Sequence, residues 1–143
     1  LTTEIIKSNY VANEKENLVV SFDQIKKNIL SKSFNVIDAR SLERFEGKVS
    51  EPRKGLRSGH IQNSFCLPFN QCINQKTGEF KNLEELRELF NQNENIEKRL
   101  DQVFTCGSGV TAAVLAYAYK MVNNDYIPKI YDGSWSEYGK YPA

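Results

Sequence analysis

The chain has 143 residues, 19 basic against 18 acidic side chains and a net charge of +1. That length suits one domain around one core, and the near-neutral balance gives no reason to invoke nucleic acid or a membrane surface as a partner. No apolar run approaches bilayer length, no charged-then-apolar leader is present, and the three cysteines with a single histidine form neither a disulfide framework nor a zinc pattern.

The cysteine usage fits a reducing compartment, expected to be the cytoplasm, with the mitochondrion as the alternative. The chain opens on Leu1 rather than Met, as a fragment or a processed product would. Leu1–Val20 is polar and mixed and reads as a linker or extended arm ending in a short strand, Leu18–Val20. Ser21 is a plausible N-cap for a helix running through Leu30, with Phe22, Ile25, Ile29 and Leu30 on one face. Phe34–Asp38 reads as a buried strand, and Ser41 as the cap of a short helix over Glu43–Phe45.

Residues 46–59 form a loop with Gly47, Pro52, Gly55 and Gly59 that carries Lys48, Arg53, Lys54 and Arg57, with Arg44 just before it. One reading is a solvated cationic surface. The other is a site, because loops leaving the carboxyl ends of strands are where α/β sheets bind ligands and an arginine there offers a fork to a carboxylate. Gly59-His60-Ile61 leads to a third strand, Ser64–Pro68. His60 reads as a general base or as a polar brace at the foot of that strand, and the brace is the preferred reading.

Asn82–Phe90 shows an amphipathic pattern with Leu83, Leu86, Leu89 and Phe90 inward. Leu100–Thr105 ends in an apolar run that reads as a fourth strand, and Ala112–Met121 is a run of helix formers without a breaker. Pro128–Asp132 reads as a fifth strand, with Gly133–Trp135 as the turn after it. Strands alternating with helices predict an α/β domain: a central parallel five-stranded sheet covered by helices on both faces.

Between the fourth strand and the helix lies Cys106-Gly107-Ser108-Gly109-Val110-Thr111. This puts a cysteine at the carboxyl end of a strand and at the mouth of a helix. The first amides of a helix lack intrahelical partners, and its dipole adds partial positive charge at the same end. Both favour a thiolate, so such a cysteine has a pKa of about 3.5–7.5 rather than the ordinary value of roughly 8.5. The alternative is a small buried hydrophobe. A phosphatase loop also rings a cysteine with amides, but it needs an arginine to hold phosphate oxygens, and Ala112 and Ala113 follow Thr111 here.

Val36–Arg40, Gly59–Ile61, Cys106–Ala112 and Tyr131–Trp135 together resemble a rhodanese domain over Ser21–Tyr138. The loop is similar to that of the mercaptopyruvate-using branch, since the thiosulfate-using branch carries basic residues where this chain has Gly107 and Ser108. Arg44–Gly47 followed by Glu51-Pro52-Arg53 also resembles that branch's substrate loop.

The resemblance implies a sulfurtransferase that moves sulfur from 3-mercaptopyruvate, through a persulfide on Cys106, to a thiol such as thioredoxin or to cyanide, releasing pyruvate. It implies Cys106 and Ser108 as catalytic residues and Arg44, Arg53, Gly107, Gly109, Val110 and Thr111 as the substrate site. No metal or organic cofactor is implied. It also implies that residues 1–20 are a linker and first strand, and that residues 21–143 are the second domain of a two-domain parent. The missing first domain would contribute a histidine and an aspartate that work with the loop serine. Lys54 and Arg57 have no role by resemblance and are expected to be solvated. The alternatives are a thiosulfate sulfurtransferase on the same scaffold and a non-catalytic binding module. The intact Cys106 argues against the latter.

Overall fold

The computed structural model describes residues 8–13, 15, 17–92 and 96–142. The expected arm over Leu1–Val20 therefore lies partly outside the described residues.

The first helix, α1 (Phe22–Ser31), is started by a reciprocal cap: the Ser21 hydroxyl accepts from the Gln24 amide, and the Gln24 side chain accepts from the Ser21 amide. Its inward face carries Ile25 and Asn28, whereas Leu30 is 89% exposed. At 3.6 residues per turn Leu30 lies about 200° round from Asn28, so the expected apolar face is displaced. Asn28 is buried because its side chain holds the start of the next strand, accepting from the Phe34 amide at 3.1 Å and donating to the Phe34 carbonyl at 2.8 Å.

That strand, β1 (Phe34–Asp38), has the expected bounds, and α2 (Leu42–Phe45) follows it. After the arginine-bearing loop come β2 (Ser64–Cys66), a 3-10 turn (Phe69–Cys72) and α3 (Leu83–Asn91). The chain then runs through β3 (Asp101–Thr105), α4 (Val110–Val122), β4 (Lys129–Ile130) and α5 (Ser134–Tyr138). Asn82 caps α3 through a second reciprocal box with Glu85. The stretch expected as a turn after the last strand is the start of α5.

Among the described residues the sheet is parallel in the order β2-β1-β3-β4 and has four strands, not the five expected. Leu18–Val20 contributes only one parallel bridge, Val19 to Ile130. Its hydrogen bonds run from the Val20 amide to the Ile130 carbonyl at 2.8 Å and from the Ile130 amide to the Leu18 carbonyl at 2.9 Å. Two features stop a ladder from growing there. Asn17 turns the chain at φ 76° just before the pairing, and Pro128, lacking an N–H, keeps β4 short.

Alternation along the strands sends successive side chains to opposite faces. Ile37 and Phe104 join Leu86, Leu89, Ala112 and Leu115 under α3 and α4. Val36 and Val103 join Ile25, Ile61, Tyr131 and Trp135 on the other face, under α1 and α5. Both faces are thus covered, as expected. The carboxyl ends of β1, β2 and β3 lie side by side, with Asp38 paired to both Cys66 and Thr105.

Candidate active site

Cys106 is the first residue beyond β3 and is 2% exposed. Its backbone is fixed from the α5 side. The Cys106 amide donates to the Ser134 hydroxyl at 3.2 Å, and the Trp135 and Ser136 amides donate to the Cys106 and Gly107 carbonyls, each at 2.9 Å. With the entry to the loop held, the chain curls back over the sulfur and enters α4. The Ser108 amide donates to Sγ at 3.4 Å. Gly109 makes the turn at φ 84°; a Cβ there would lie 2.5 Å from Asp132 Oδ1 and 3.1 Å from the Asp132 carbonyl, so the position needs glycine both for its conformation and for its space.

Burial pushes the Cys106 thiol up, but hydrogen bonds from the Thr111 hydroxyl and from the amides of Ser108, Ala112 and Thr111 outweigh it and leave the pKa below its ordinary value. The loop is therefore a thiolate cradle, as the sequence suggests. The other two cysteines are free thiols of the opposite character: burial pushes Cys66 up to about 12 and Cys72 up to about 11.

The two arginines assigned by resemblance meet at Gly107. The Nη1–Nη2 edge of Arg44 faces it, with Nη2 3.1 Å and Nη1 3.8 Å from where a Cβ would stand. Arg53 meets the Gly107 carbonyl: its Nη1 donates to the Ser136 hydroxyl at 2.8 Å and lies 3.4 Å from that oxygen. Each sits in a different environment. Arg53 is exposed, whereas Arg44 is gripped by the buried carboxylate of Glu51, Nε to Oε1 at 3.2 Å and Nη2 to Oε2 at 2.6 Å.

Of the remaining predicted site residues, Ser108 is half-buried and contributes its amide to the sulfur, and Thr111 contributes hydroxyl and amide to the same atom. Val110 opens α4 with its side chain 73% exposed, beside the loop. His60 is a brace: Nδ1 donates to the Phe45 carbonyl at 2.8 Å, and the ring stacks on Phe45 at 4.0 Å. Arg57 is not a free surface cation. Its Nε donates to the Tyr141 carbonyl at 2.8 Å, and its guanidinium lies 4.6 Å over Trp135, because the indole presents an electron-rich face to it. Lys54 is exposed.

Sequence reasoning assigned no role to Glu51, Arg40, Ser134 or Ser136, all of which organise this site. Ser134 sits fully buried at φ 50°, accepting from the Cys106 amide and donating to the Tyr131 carbonyl at 2.8 Å. A serine between Gly133 and Trp135 near a strand end was visible, but its partner lies 28 residues away in sequence.

A parallel α/β sheet that carries a cysteine in an amide cradle at the carboxyl end of a central strand, flanked by arginines, defines a class. The chain belongs to the rhodanese family, whose Rhodanese-like domain matches residues 21–141. It is 42% identical over 126 residues to Thiosulfate/3-mercaptopyruvate sulfurtransferase 1, mitochondrial, of Arabidopsis thaliana, covering 88% of this chain and 32% of that protein. It is 39% identical over 120 residues to the 3-mercaptopyruvate sulfurtransferase of Homo sapiens, covering 84% and 39%. The fold is similar to the crystal structure of SseA, a 3-mercaptopyruvate sulfotransferase of Escherichia coli, with TM-score 0.74 and 30% identity over 94% of this chain and 48% of that one. The chain thus spans about a third to two fifths of the length of these curated relatives. Among the described residues no helix is long and apolar enough to cross a membrane.

Proposed function

We propose that the protein containing this domain is a mercaptopyruvate sulfurtransferase, with Cys106 as the sulfur carrier. The observation that carries the reading is the pairing of a stabilised Cys106 thiolate with two guanidinium groups converging on Gly107, in a loop that has no cation of its own from Gly107 to Ala112. A donor with a carboxylate one carbonyl away from its thiol-bearing carbon fits this arrangement: the arginines take the carboxylate and ketone and the cradle faces the sulfur.

In the first half-reaction the Cys106 thiolate attacks the substrate sulfur. The S–S bond forms as the C–S bond breaks, and its electron pair leaves on the enolate of pyruvate, which then takes up a proton. Ser108 is the loop hydroxyl proposed to bind the substrate or relay that proton. The same amides that hold the thiolate hold the terminal charge of the persulfide. In the second half-reaction an acceptor thiol, such as that of thioredoxin, or cyanide removes the outer sulfur and regenerates Cys106. The reaction requires no metal or organic cofactor. A first rhodanese-like domain covering the loop, with its histidine and aspartate, completes the site. The compartment is a reducing one, the cytoplasm or the mitochondrion.

The test uses the full-length protein and mercaptopyruvate without acceptor. One pyruvate per protein should appear as the Cys106 peptide gains the mass of one sulfur atom, and a thiol should reverse that gain. Pyruvate release without sulfur on Cys106 would rule the mechanism out. Arg44→Lys and Arg53→Lys should each lower kcat/KM by tens- to thousands-fold, on the order of the 2–5 kcal/mol carried by a buried charge-assisted contact, whereas Lys54→Ala should not.

Thiosulfate is the second reading, favoured by the double donor name of the Arabidopsis relative. A dianion gains from added charge, so a basic side chain in the loop should move the ratio of efficiencies toward thiosulfate. Ser108→Lys is the variant to use, compared with Ser108→Ala so that the loss of the hydroxyl cancels. A side chain at Gly107 would meet the Arg44 guanidinium at 3.1 Å and disturb the clamp itself.

A further inference from the structure

Arg44 does not stand alone. Asp38, the last residue of β1, binds Arg40 through both carboxylate oxygens: Arg40 Nε at 3.1 and 3.0 Å, and Nη2 to Oδ2 at 2.7 Å. Arg40 Nη2 also donates to the Gly59 carbonyl at 2.8 Å, and its guanidinium lies 4.5 Å over Trp135. That leaves Nη1, which donates to Glu51 Oε1 at 2.9 Å. Glu51 then spends its carboxylate on the Nε–Nη2 side of Arg44. The Asp38, Arg40 and Glu51 side chains are each 1–2% exposed, whereas Arg44, at the outer end, is 26% exposed.

The order of burial gives the row a direction. It starts at a sheet strand, runs through three buried groups and ends on the one guanidinium of the row that reaches the loop. The row is also electrically balanced, two carboxylates against two guanidiniums. Arg44 therefore brings little net charge to the site. What it brings is an aimed edge, Nη1–Nη2, whose protons face Gly107 because the other edge is occupied.

We propose that Glu51 is a positioning residue that sets the donor specificity of the site, by holding the Nη1–Nη2 edge of Arg44 against the Cys106 loop. This rests on the reading of the site as a carboxylate-binding sulfurtransferase centre. A carboxylate donor needs that edge in a fixed place, whereas a dianion such as thiosulfate responds chiefly to net charge. Both Glu51 oxygens accept from Arg44, so Glu51→Gln removes one charge and, whichever way the amide turns, sets an N–H₂ against an Arg44 donor; Arg44 loses its hold while the site becomes more positive. Positioning and charge then predict opposite signs.

The experiment measures, in the full-length protein and its Glu51→Gln variant, the rates at which iodoacetate and iodoacetamide alkylate Cys106, alongside kcat/KM for mercaptopyruvate and thiosulfate. The expected result is a fall of about threefold or more in the iodoacetate-to-iodoacetamide ratio, with the iodoacetamide rate kept because the loop amides are untouched. The mercaptopyruvate efficiency should fall on the order of ten- to a hundredfold, with thiosulfate equal or improved. A rise in the alkylation ratio would mean that Glu51 acts through charge alone. An unchanged ratio, or equal losses for both donors, would make Glu51 part of the scaffold only. Either result overturns the proposal. If wild type turns over no mercaptopyruvate, the proposed function fails, and the alkylation ratio still decides the role of Glu51. If Glu51→Gln does not fold, Glu51→Asp decides instead. It keeps the charge but is one methylene too short to reach both guanidiniums, so the ratio should fall there too, and an unaltered ratio overturns the proposal.

Discussion

Two parallel strands of this sheet end in a cysteine-bearing segment, and the two cysteines behave in opposite ways. Cys106 follows β3 and has its pKa lowered; Cys66 closes β2 and is pushed up to about 12. After β3 the chain turns through Gly107 and Gly109 into a helix of 13 residues, and the amides of Ser108, Thr111 and Ala112 converge on the sulfur. After β2 it runs through Leu67 and Pro68, which has no N–H, into a 3-10 turn. The Cys66 thiol instead donates to the Arg40 carbonyl at 3.6 Å, a contact that favours the protonated form. A strand end is therefore not enough to activate a thiol. Several unpaired donors must be brought back onto the sulfur, and only the glycine-bearing loop does this.

The largest test of that contrast is loss of each thiol. Cys106→Ala should abolish sulfur transfer in the full-length protein, by about 10³-fold or more in kcat, while Cys66→Ala should leave it within about twofold, because its thiol meets a backbone carbonyl and not the reacting sulfur. Equal losses would mean that both strand ends take part.

Alkylation with iodoacetamide reads the two thiols directly. The thiolate is the charged, reactive form, so a lowered pKa keeps Cys106 reactive to lower pH than an ordinary thiol, and its reactivity falls away only below the Cys106 pKa. Cys66, with its pKa near 12, is thiolate in roughly one molecule in 10⁵ at pH 7, and Cys72, near 11, is little better. Peptide mapping after brief treatment at pH 7 should find label on Cys106 alone; preferential label on Cys66 would reverse the comparison.

Gly109→Ala should sharpen it by spoiling the loop without touching the sulfur. The substitution places a Cβ at φ 84° and against Asp132, at a cost of about 1–3 kcal/mol. Thermal unfolding should show a drop of several degrees, and Cys106 should alkylate more slowly at neutral pH. A variant with wild-type melting and reactivity would show that the cradle does not need its glycine turn.

The smallest effect belongs to Thr111→Val, which removes one hydroxyl and keeps the shape. The midpoint of the alkylation pH profile should move upward, toward the ordinary thiol value, because one of the bonds that outweigh burial is gone. A midpoint that stays in place would assign the whole stabilisation to the amides.

Much of this domain was legible without coordinates where the determinants are local. Phe34–Asp38 declared itself as a buried strand and Ser21 as the N-cap of α1, whereas Asn82, read as the first helical residue, is the cap of α3. The cradle was legible because its amides, its glycines and its sulfur all lie within seven residues, Cys106–Ala112. The misreadings share a cause. Leu30 was placed inside because the face of α1 is set by what Asn28 holds, the backbone of β1. Leu18–Val20 reads locally as a short strand, but Asn17 and the short β4 allow it only one bridge. Arg57 reads as solvated because Trp135, 78 residues on, is invisible to a local pattern.

By itself the sequence determined the α/β alternation and the glycine-bearing loop that brings amides to Cys106, since each depends on spacing, capping or loop chemistry within a short run of chain; Arg44 and Arg53 were marked only by resemblance to the family. The tertiary structure alone decided what those groups are tied to: the grip of Ser134 on the Cys106 amide, and the row from Asp38 through Arg40 and Glu51 that aims Arg44 at Gly107. The reason is physical. A buried carboxylate is tolerated only where guanidiniums surround it, and which guanidiniums those are is settled by the side-by-side ends of parallel strands and the loops that leave them, not by distance along the chain.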